Sequence, residues 1–340
     1  MRWIVYHDCN ARCRHCSYFG SSQQRRESLD EADALAVVAA LTDGTVTLAG
    51  VQLVGGEPLL WPPLQIVVTR LRRQGVPVEI VTNGLDDDDR LVSLLHQSGA
   101  PDVCLSIDGT DAATYGVLRD ARRFPRVLST LDRLARNRPS GTRIRINHVF
   151  ARGNDQPPSR IIAWFADRGA DAVSLAFMGL GGTAVINRDR LALTPAREFD
   201  LVEDYLRHLD HYPIPTAFPV PPLVRHAASV RLGRDLSRVY DGCPAVSSDW
   251  TITSDGAVDP CQRLTGSSTA RRALGARLFP LRDWSMSQIL ADPSMTAILT
   301  RKRSLDAVTH TPCRRCPFLG SWCEPCMVGE RSVSPTWTRR

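Results

Sequence analysis

The sequence predicts an α/β fold: a partial (β/α)6 barrel followed by a small cysteine-rich β-hairpin module. Three observations predict it. In the first half, six short β-rich runs alternate with helical patterns, as in a parallel sheet joined by crossover helices. Gly75, Gly99 and Gly169 each follow a helical pattern, where a left-handed C-terminal cap belongs. From Cys243 onward the pattern changes to a hairpin and cysteine-rich loops.

The six strands are read at Trp3–Tyr6, Val51–Val54, Val76–Val81, Val103–Ile107, Arg143–Val149 and Ala172–Phe177. Helices between them are read at Asp30–Leu41, Leu64–Arg73, Asp87–Gln97, Phe124–Arg136 and Ser159–Ala166. Six units fall short of the eight that close a barrel, and the chemistry should gather at the C-terminal strand ends. The strands are two-faced. Val103, Leu105 and Ile107 alternate with Cys104, Ser106 and Asp108, and Ile144, Ile146 and His148 alternate with Arg143, Arg145 and Asn147. The apolar face should meet the helices, and the polar face should line a ligand-holding lumen. A further helix opens at Thr194-Pro195, with Thr as N-cap, and runs to about Leu209. Five prolines between His211 and Pro222 then read as a linker. The expected division is barrel and following helix in residues 1–212, linker in 213–242, module in 243–330 and tail in 331–340.

A chain of 340 residues fits one large α/β unit and a smaller module, and 43% apolar residues are ordinary for a globular protein. No apolar run is long enough to span a bilayer, and the first strand begins almost at Met1, leaving no room for a signal peptide. A cytoplasmic protein is expected. Its ten cysteines then argue for metal rather than disulfides. The net charge of +6 comes from arginine spread along the chain, with Lys302 the only lysine. Without a basic block, nucleic acid is not indicated as a partner.

Cys9, Cys13 and Cys16 follow the first strand with the spacing C-x3-C-x2-C. Three thiolates in one loop can hold three irons of a cubane and leave the fourth open to a small chelating molecule. Gly55-Gly56-Glu57-Pro58 follows the second strand, Val81-Thr82-Asn83-Gly84 ends the third, and Ser106-Ile107-Asp108-Gly109 ends the fourth. In this order the motifs resemble the radical S-adenosylmethionine (SAM) superfamily, over roughly the first third of the chain. The resemblance implies a [4Fe-4S] cluster on Cys9, Cys13 and Cys16, with SAM bound by Gly55, Gly56, Glu57, Pro58, Asn83, Ser106 and Asp108. It implies reductive cleavage of SAM to a 5′-deoxyadenosyl radical that removes a hydrogen atom from substrate, with flavodoxin or ferredoxin as the external reductant. His15 stands where the family has an aromatic residue, and is expected to stack on adenine. Arg145, on the polar face of strand five, is expected to hold the SAM carboxylate or a polar substrate. Cys104 lies below Ser106, and reads as a small core residue.

Cys243, Cys261, Cys313, Cys316, Cys323 and Cys326 occupy the last third. Trp250–Thr253 and Ala257–Pro260 form a hairpin about Asp255-Gly256, which places Cys243 and Cys261 at its open ends. With the two C-x2-C pairs, the pattern resembles the SPASM/twitch extension of radical SAM enzymes and implies one or two auxiliary iron–sulfur clusters. A structural zinc knuckle is the alternative for the same thiolates. The expected function is oxidation or epimerisation of a small polar substrate such as an aminosugar or cyclitol. Modification of a ribosomal peptide is the second reading, and a non-catalytic zinc-binding module is a third, of another class.

Overall fold

The computed structural model describes residues 1–17, 28–85, 89–179, 181–220, 222–236, 250–260 and 275–303. Six parallel strands stand in chain order: β1 (Arg2–Tyr6), β2 (Val51–Gly55), β3 (Val78–Thr82), β4 (Asp102–Ser106), β5 (Ile144–Phe150) and β6 (Ala172–Phe177). All six lie within two residues of the expected spans. β7 (Thr216–Ala217) adds to β6 in parallel. β8 (Thr251–Ile252) pairs parallel to β1, and β9 (Ala257–Asp259) and β10 (Phe279–Pro280) continue antiparallel from it. The sheet order is β10-β9-β8-β1-β2-β3-β4-β5-β6-β7.

Helices α1 (Glu31–Leu41), α2 (Leu64–Arg73), α3 (Arg90–Gln97), α4 (Ala112–Leu118), α5 (Phe124–Asn137) and α6 (Pro158–Ala166) form the crossovers. Asp30 caps α1 by accepting from the Asp33 backbone N–H, and Gly75, Gly99 and Gly169 sit at φ of 77°, 77° and 81° after α2, α3 and α6. α4 is absent from the sequence reading. It is seven residues long and has Gly116 in its middle, too little for a helical period to show. The helices cover one sheet face. Val103, Leu105, Ile107, Ile144, Ile146 and Val173 are all buried on it.

Beyond β6 come α7 (Gly182–Ile186), α8 (Arg188–Leu191), α9 (Pro195–Arg207) and α10 (Pro222–Leu232), then α11 (Met286–Ala291) and α12 (Pro293–Arg303). The interval read as a linker therefore contains β7 and α10, because its prolines bound the elements rather than exclude them. The hairpin β8–β9 turns at Asp255-Gly256, with Gly256 at φ 78°, and extends the barrel sheet at the β1 edge. Cys243, Cys261, Cys313, Cys316, Cys323 and Cys326 lie outside the described residues. Among the described residues, no helix is long and apolar enough to cross a membrane.

The inner face is polar. Near the N-terminal strand ends, Arg145 donates from Nε and Nη2 to the Glu79 carboxylate at 2.7 and 2.5 Å, and from Nη1 to Ser174 Oγ at 2.7 Å. Gln52 donates to the same carboxylate at 2.6 Å, and Arg2 Nη2 lies 3.4 Å from Gln52 Oε1. Beside this network Cys104 is buried, and burial pushes its thiol up to about 12. Removing one partner of an enclosed pair leaves a charge uncompensated, whereas replacing both is far milder. Arg145→Met is therefore expected to cost about 2 kcal/mol, between the values of exposed and buried pairs. Arg145→Met with Glu79→Met should recover most of that loss in denaturant titration. Equal loss in the single and double variants would mean that the packed stems, not the charges, carry the stability.

Candidate active site

The loop Cys9–Cys16 springs from the C-terminal end of β1, where the β1–β2 register is irregular between Ile4 and Tyr6. Its base is fixed by two backbone bonds, Gly56 N–H to Tyr6 O at 2.7 Å and Glu57 N–H to Asp8 O at 2.8 Å. A Cβ on Gly55 would stand 2.3 Å from Tyr6 O, and one on Gly56 2.2 Å from Asp8 O. The glycines leave room for the cysteine loop itself. Glu57 is buried; Oε1 accepts from Leu59 N–H at 3.1 Å and Oε2 from Asn83 N–H at 2.8 Å. Pro58 opens the 3-10 turn Pro58–Leu60 behind it.

The rest of the loop is clamped. Arg14 donates from the backbone to Leu118 O, and from Nη1 to Gly116 O and Val117 O at 2.6 and 2.7 Å. Thr183 Oγ1 bonds Cys13 O and Cys16 O at 3.0 and 3.2 Å, and Asn187 bonds Arg14 O at 3.0 Å. The end of α4 and the start of α7 thus hold the loop from one side.

Donors approach the sulfurs. Ala11 N–H lies 3.4 Å and Asn83 Nδ2 3.5 Å from Cys9 Sγ, and Arg119 Nη1 lies 3.5 Å from Cys13 Sγ. Arg119 is anchored by Asp108, with Nε 2.5 Å from Oδ2. Asp108 is fully buried and also accepts from Val149 N–H at 2.8 Å. Burial is the largest single influence and would raise its carboxyl, but Arg119, His15, His148 and the Val149 N–H together outweigh it and hold the carboxyl below the usual range. Burial lowers His15, so its imidazole is neutral, and Nε2 lies 3.4 Å from Asp108 Oδ2. His15 Nδ1 is buried with no partner among the described residues.

Cys9, Cys13 and Cys16 are half-buried and in no disulfide. Burial pushes the Cys9 and Cys13 thiols up, so an added positive charge is needed to make them thiolates. Among the described residues no three His, Cys, Asp or Glu side chains are placed to hold a single metal ion. A cubane makes a different demand, one iron for each thiolate. The three half-buried thiols, the donors aimed at sulfur and the buried His15 nitrogen fit a cluster with a polar ligand beside it.

Residues 3–155 match the model of the Radical SAM superfamily. The chain carries a radical SAM domain. A PqqA peptide cyclase from Streptomyces rochei is 27% identical over 275 residues, covering 77% of this chain and 66% of that one. A GTP 3′,8-cyclase from Paenarthrobacter nicotinovorans is 26% identical over 173 residues, covering 50% and 48%. The chain thus spans about half to two thirds of the length of these relatives. Streptococcus suis SuiB bound to SAM superposes with a TM-score of 0.71 at 16% identity, covering 96% of this chain and 72% of SuiB. SuiB bound to its precursor peptide SuiA gives 0.70 at 17% identity, covering 96% and 71%. The likeness to SuiB shows the fold. A [4Fe-4S] cluster and SAM are the cofactors of the radical SAM domain.

The structure gathers Cys9, Cys13, Cys16, His15, Glu57, Asn83 and Asp108 at one end of the barrel. Ser106 ends β4 on the inner face, in register with Asn147. Arg145 is not among them, since its guanidinium is engaged by Glu79 and Ser174 toward the other end of the strands. The sequence reading missed Arg119, Thr183 and Asn187. Arg119 is 106 residues from the cysteine it approaches, and nothing in its neighbourhood marks it.

Two outcomes follow from this geometry. Gly56→Ala should abolish iron retention at the N-terminal site, because the new methyl group would have to displace the Asp8 carbonyl. Full iron after anaerobic reconstitution of that variant would show that the two backbones can separate. Thr183→Val should keep the fold and lose iron several-fold faster to a chelator, because the Cys13 and Cys16 carbonyls lose a donor worth about 1 kcal/mol.

Proposed function

We propose that the protein is a radical SAM enzyme that modifies a ribosomally made peptide. The observation that carries this reading is the cysteine loop clamped over the barrel end, with Asn83 and Arg119 aimed at its sulfurs. Cys9, Cys13 and Cys16 would hold the [4Fe-4S] cluster. Gly55, Gly56, Glu57 and Pro58 would shape the SAM site, with Asn83, Ser106, Asp108 and His15 around it. Bound together, the cluster and SAM supply a 5′-deoxyadenosyl radical able to take a hydrogen atom from an unactivated C–H bond.

The residues' own tasks are to position and to exclude water. Glu57 fixes the β2 end to the β3 end through Asn83 N–H. Asp108 holds the Arg119 guanidinium beside Cys13, where its fixed charge favours a thiolate. His15, lowered by burial, places its buried Nδ1 beside the same site.

The peptide reading displaces the small polar substrate expected from the sequence. Two relatives are named for peptides, the PqqA peptide cyclase and SuiB with its precursor SuiA. Cys243, Cys261, Cys313, Cys316, Cys323 and Cys326 would form an auxiliary cluster module of the SPASM/twitch kind.

The reconstituted protein is expected to form 5′-deoxyadenosine from SAM, and the Cys9, Cys13, Cys16→Ala variant to form none while retaining about four irons per chain in the C-terminal segment. Undiminished 5′-deoxyadenosine from that variant would remove the loop from catalysis, and stoichiometric zinc without iron in the C-terminal segment would make the module structural. Substrate class is read by mass spectrometry of a precursor peptide encoded beside the gene, treated with enzyme and SAM. A mass change in the peptide supports the proposal. An unchanged peptide, with turnover of a neighbouring aminosugar instead, restores the small-substrate reading.

A further inference from the structure

Asn147 is half-buried on the inner face of β5, and among the described residues its side chain makes no hydrogen bond. Its backbone is fixed. Ile107 N–H donates to Asn147 O at 3.0 Å, and the ring of the next residue, His148, bonds Ile107 O at 3.1 Å from the helix-facing side. Asn147 stands in register with Ser106 on β4 and with Ser174 on β6. The charged groups along the same face are already paired. Arg145, two residues below on β5, is held by Glu79 and Ser174, and Asp108, two residues beyond Ser106, is held by Arg119. What remains at this height is a carboxamide, with one acceptor oxygen and two donor hydrogens. In an enclosed place such a group is paired, with the protein or with a ligand.

We propose that Asn147 is a specificity-determining residue that hydrogen-bonds a backbone amide of the peptide substrate inside the barrel. The inference rests on the peptide function proposed above and deepens it. A carboxamide matches a peptide group donor for acceptor and acceptor for donor. A phosphate, carboxylate or ammonium group would need an opposite charge in the same place, and the charges beside Asn147 are spent on one another. SAM is the other ligand of this end of the barrel. The residues read for it, among them Glu57, Asn83, Ser106 and Asp108, come from the ends of β2, β3 and β4. Asn147 belongs to β5, one strand further from the cysteine loop than Ser106, and stands three residues below that strand's end at Phe150. Three strand residues are about 10 Å. That position favours the substrate over SAM.

The test uses the reconstituted full chain, SAM and the precursor peptide encoded beside the gene. Asn147→Asp keeps the shape of the side chain and loses both amide donors. Asn147→Leu keeps a similar size and loses every hydrogen bond. Affinity for the labelled precursor, read by fluorescence anisotropy, should weaken about tenfold in each variant. The fall in kcat/KM should lie mainly in KM, as for an interaction made already in the bound ground state. SAM affinity by calorimetry, iron content and melting temperature should match wild type, which a general packing defect would not allow. Equal peptide affinity and KM in wild type and both variants overturn the proposal and leave the peptide function standing. Weaker SAM binding at unchanged peptide affinity would assign the side chain to SAM and also overturns it. Iron loss in both variants would make Asn147 a structural residue, with the same consequence. A wild-type chain that leaves the peptide unchanged and turns over an amide-free aminosugar overturns the peptide function and this assignment together.

Discussion

Two stretches of backbone touch at the end of the barrel, Tyr6–Asp8 on one side and Gly55–Gly56 on the other, and no side chain fits between them. That contact determines where the cysteine loop starts. From it follow the bond of Glu57 N–H to Asp8 O and the burial of the Glu57 carboxylate. The tie from Glu57 to the β3 end at Asn83 follows as well. Gly109 repeats the device two strands further, after β4, since a Cβ there would stand 2.2 Å from Tyr115 N. It lets α4 close on the β4 end, and α4 is the helix whose last carbonyls hold Arg14. The motif glycines therefore act first on the protein's own backbone. The ligand site is shaped by what they bring together.

The inner face divides along the strand axis. Toward the N-terminal ends it carries Arg2, Gln52, Glu79, Arg145 and Ser174, which satisfy one another. Toward the C-terminal ends it carries groups that remain available, with Ser106 and Asn147 side by side in register and the His15 nitrogen without a partner among the described residues. Polar groups in an enclosed place must be paired with one another or with a ligand. The paired set supports the barrel, and the other set is where a ligand belongs. Sequence alternation alone cannot separate the two, because it reports the face and not the height along the strand.

The strands, the capping glycines and the three-cysteine loop were legible because each depends on local spacing. The two-residue period of β5 placed Ile144, Ile146 and His148 on the helix-facing side, where all three are buried. What was lost depends on contacts between distant segments. Arg119 reaches Cys13 only because Gly109 turns α4 back over β4, and Thr183 reaches the loop from 167 to 170 residues away. Arg145 was misassigned for a related reason. Its partner Glu79 lies two strands away, and nothing in either segment announces the pair. β7 was hidden by its prolines, which read as a linker although they flank the strand.

The two intervals between the cysteines are built differently. The sulfurs need a dry, donor-rich surrounding so that a cation beside them carries weight, and Asp108 secures this by holding Arg119 in a buried position. Between the first two cysteines Arg12 is exposed, while Asn10 Oδ1 accepts from Asn83 Nδ2 at 2.8 Å and Cys9 and Cys13 turn inward to Asn83 and Arg119. The x3 interval of the motif is then long enough to build an outer edge. The x2 interval between Cys13 and Cys16 is spent on a tight turn, with Cys16 N–H bonded to Cys13 O at 3.3 Å. His15 within that turn remains packed against Asp108. The unequal spacing of the three cysteines thus gives one short segment a longer arc anchored to Asn83 and a tight turn packed against Asp108.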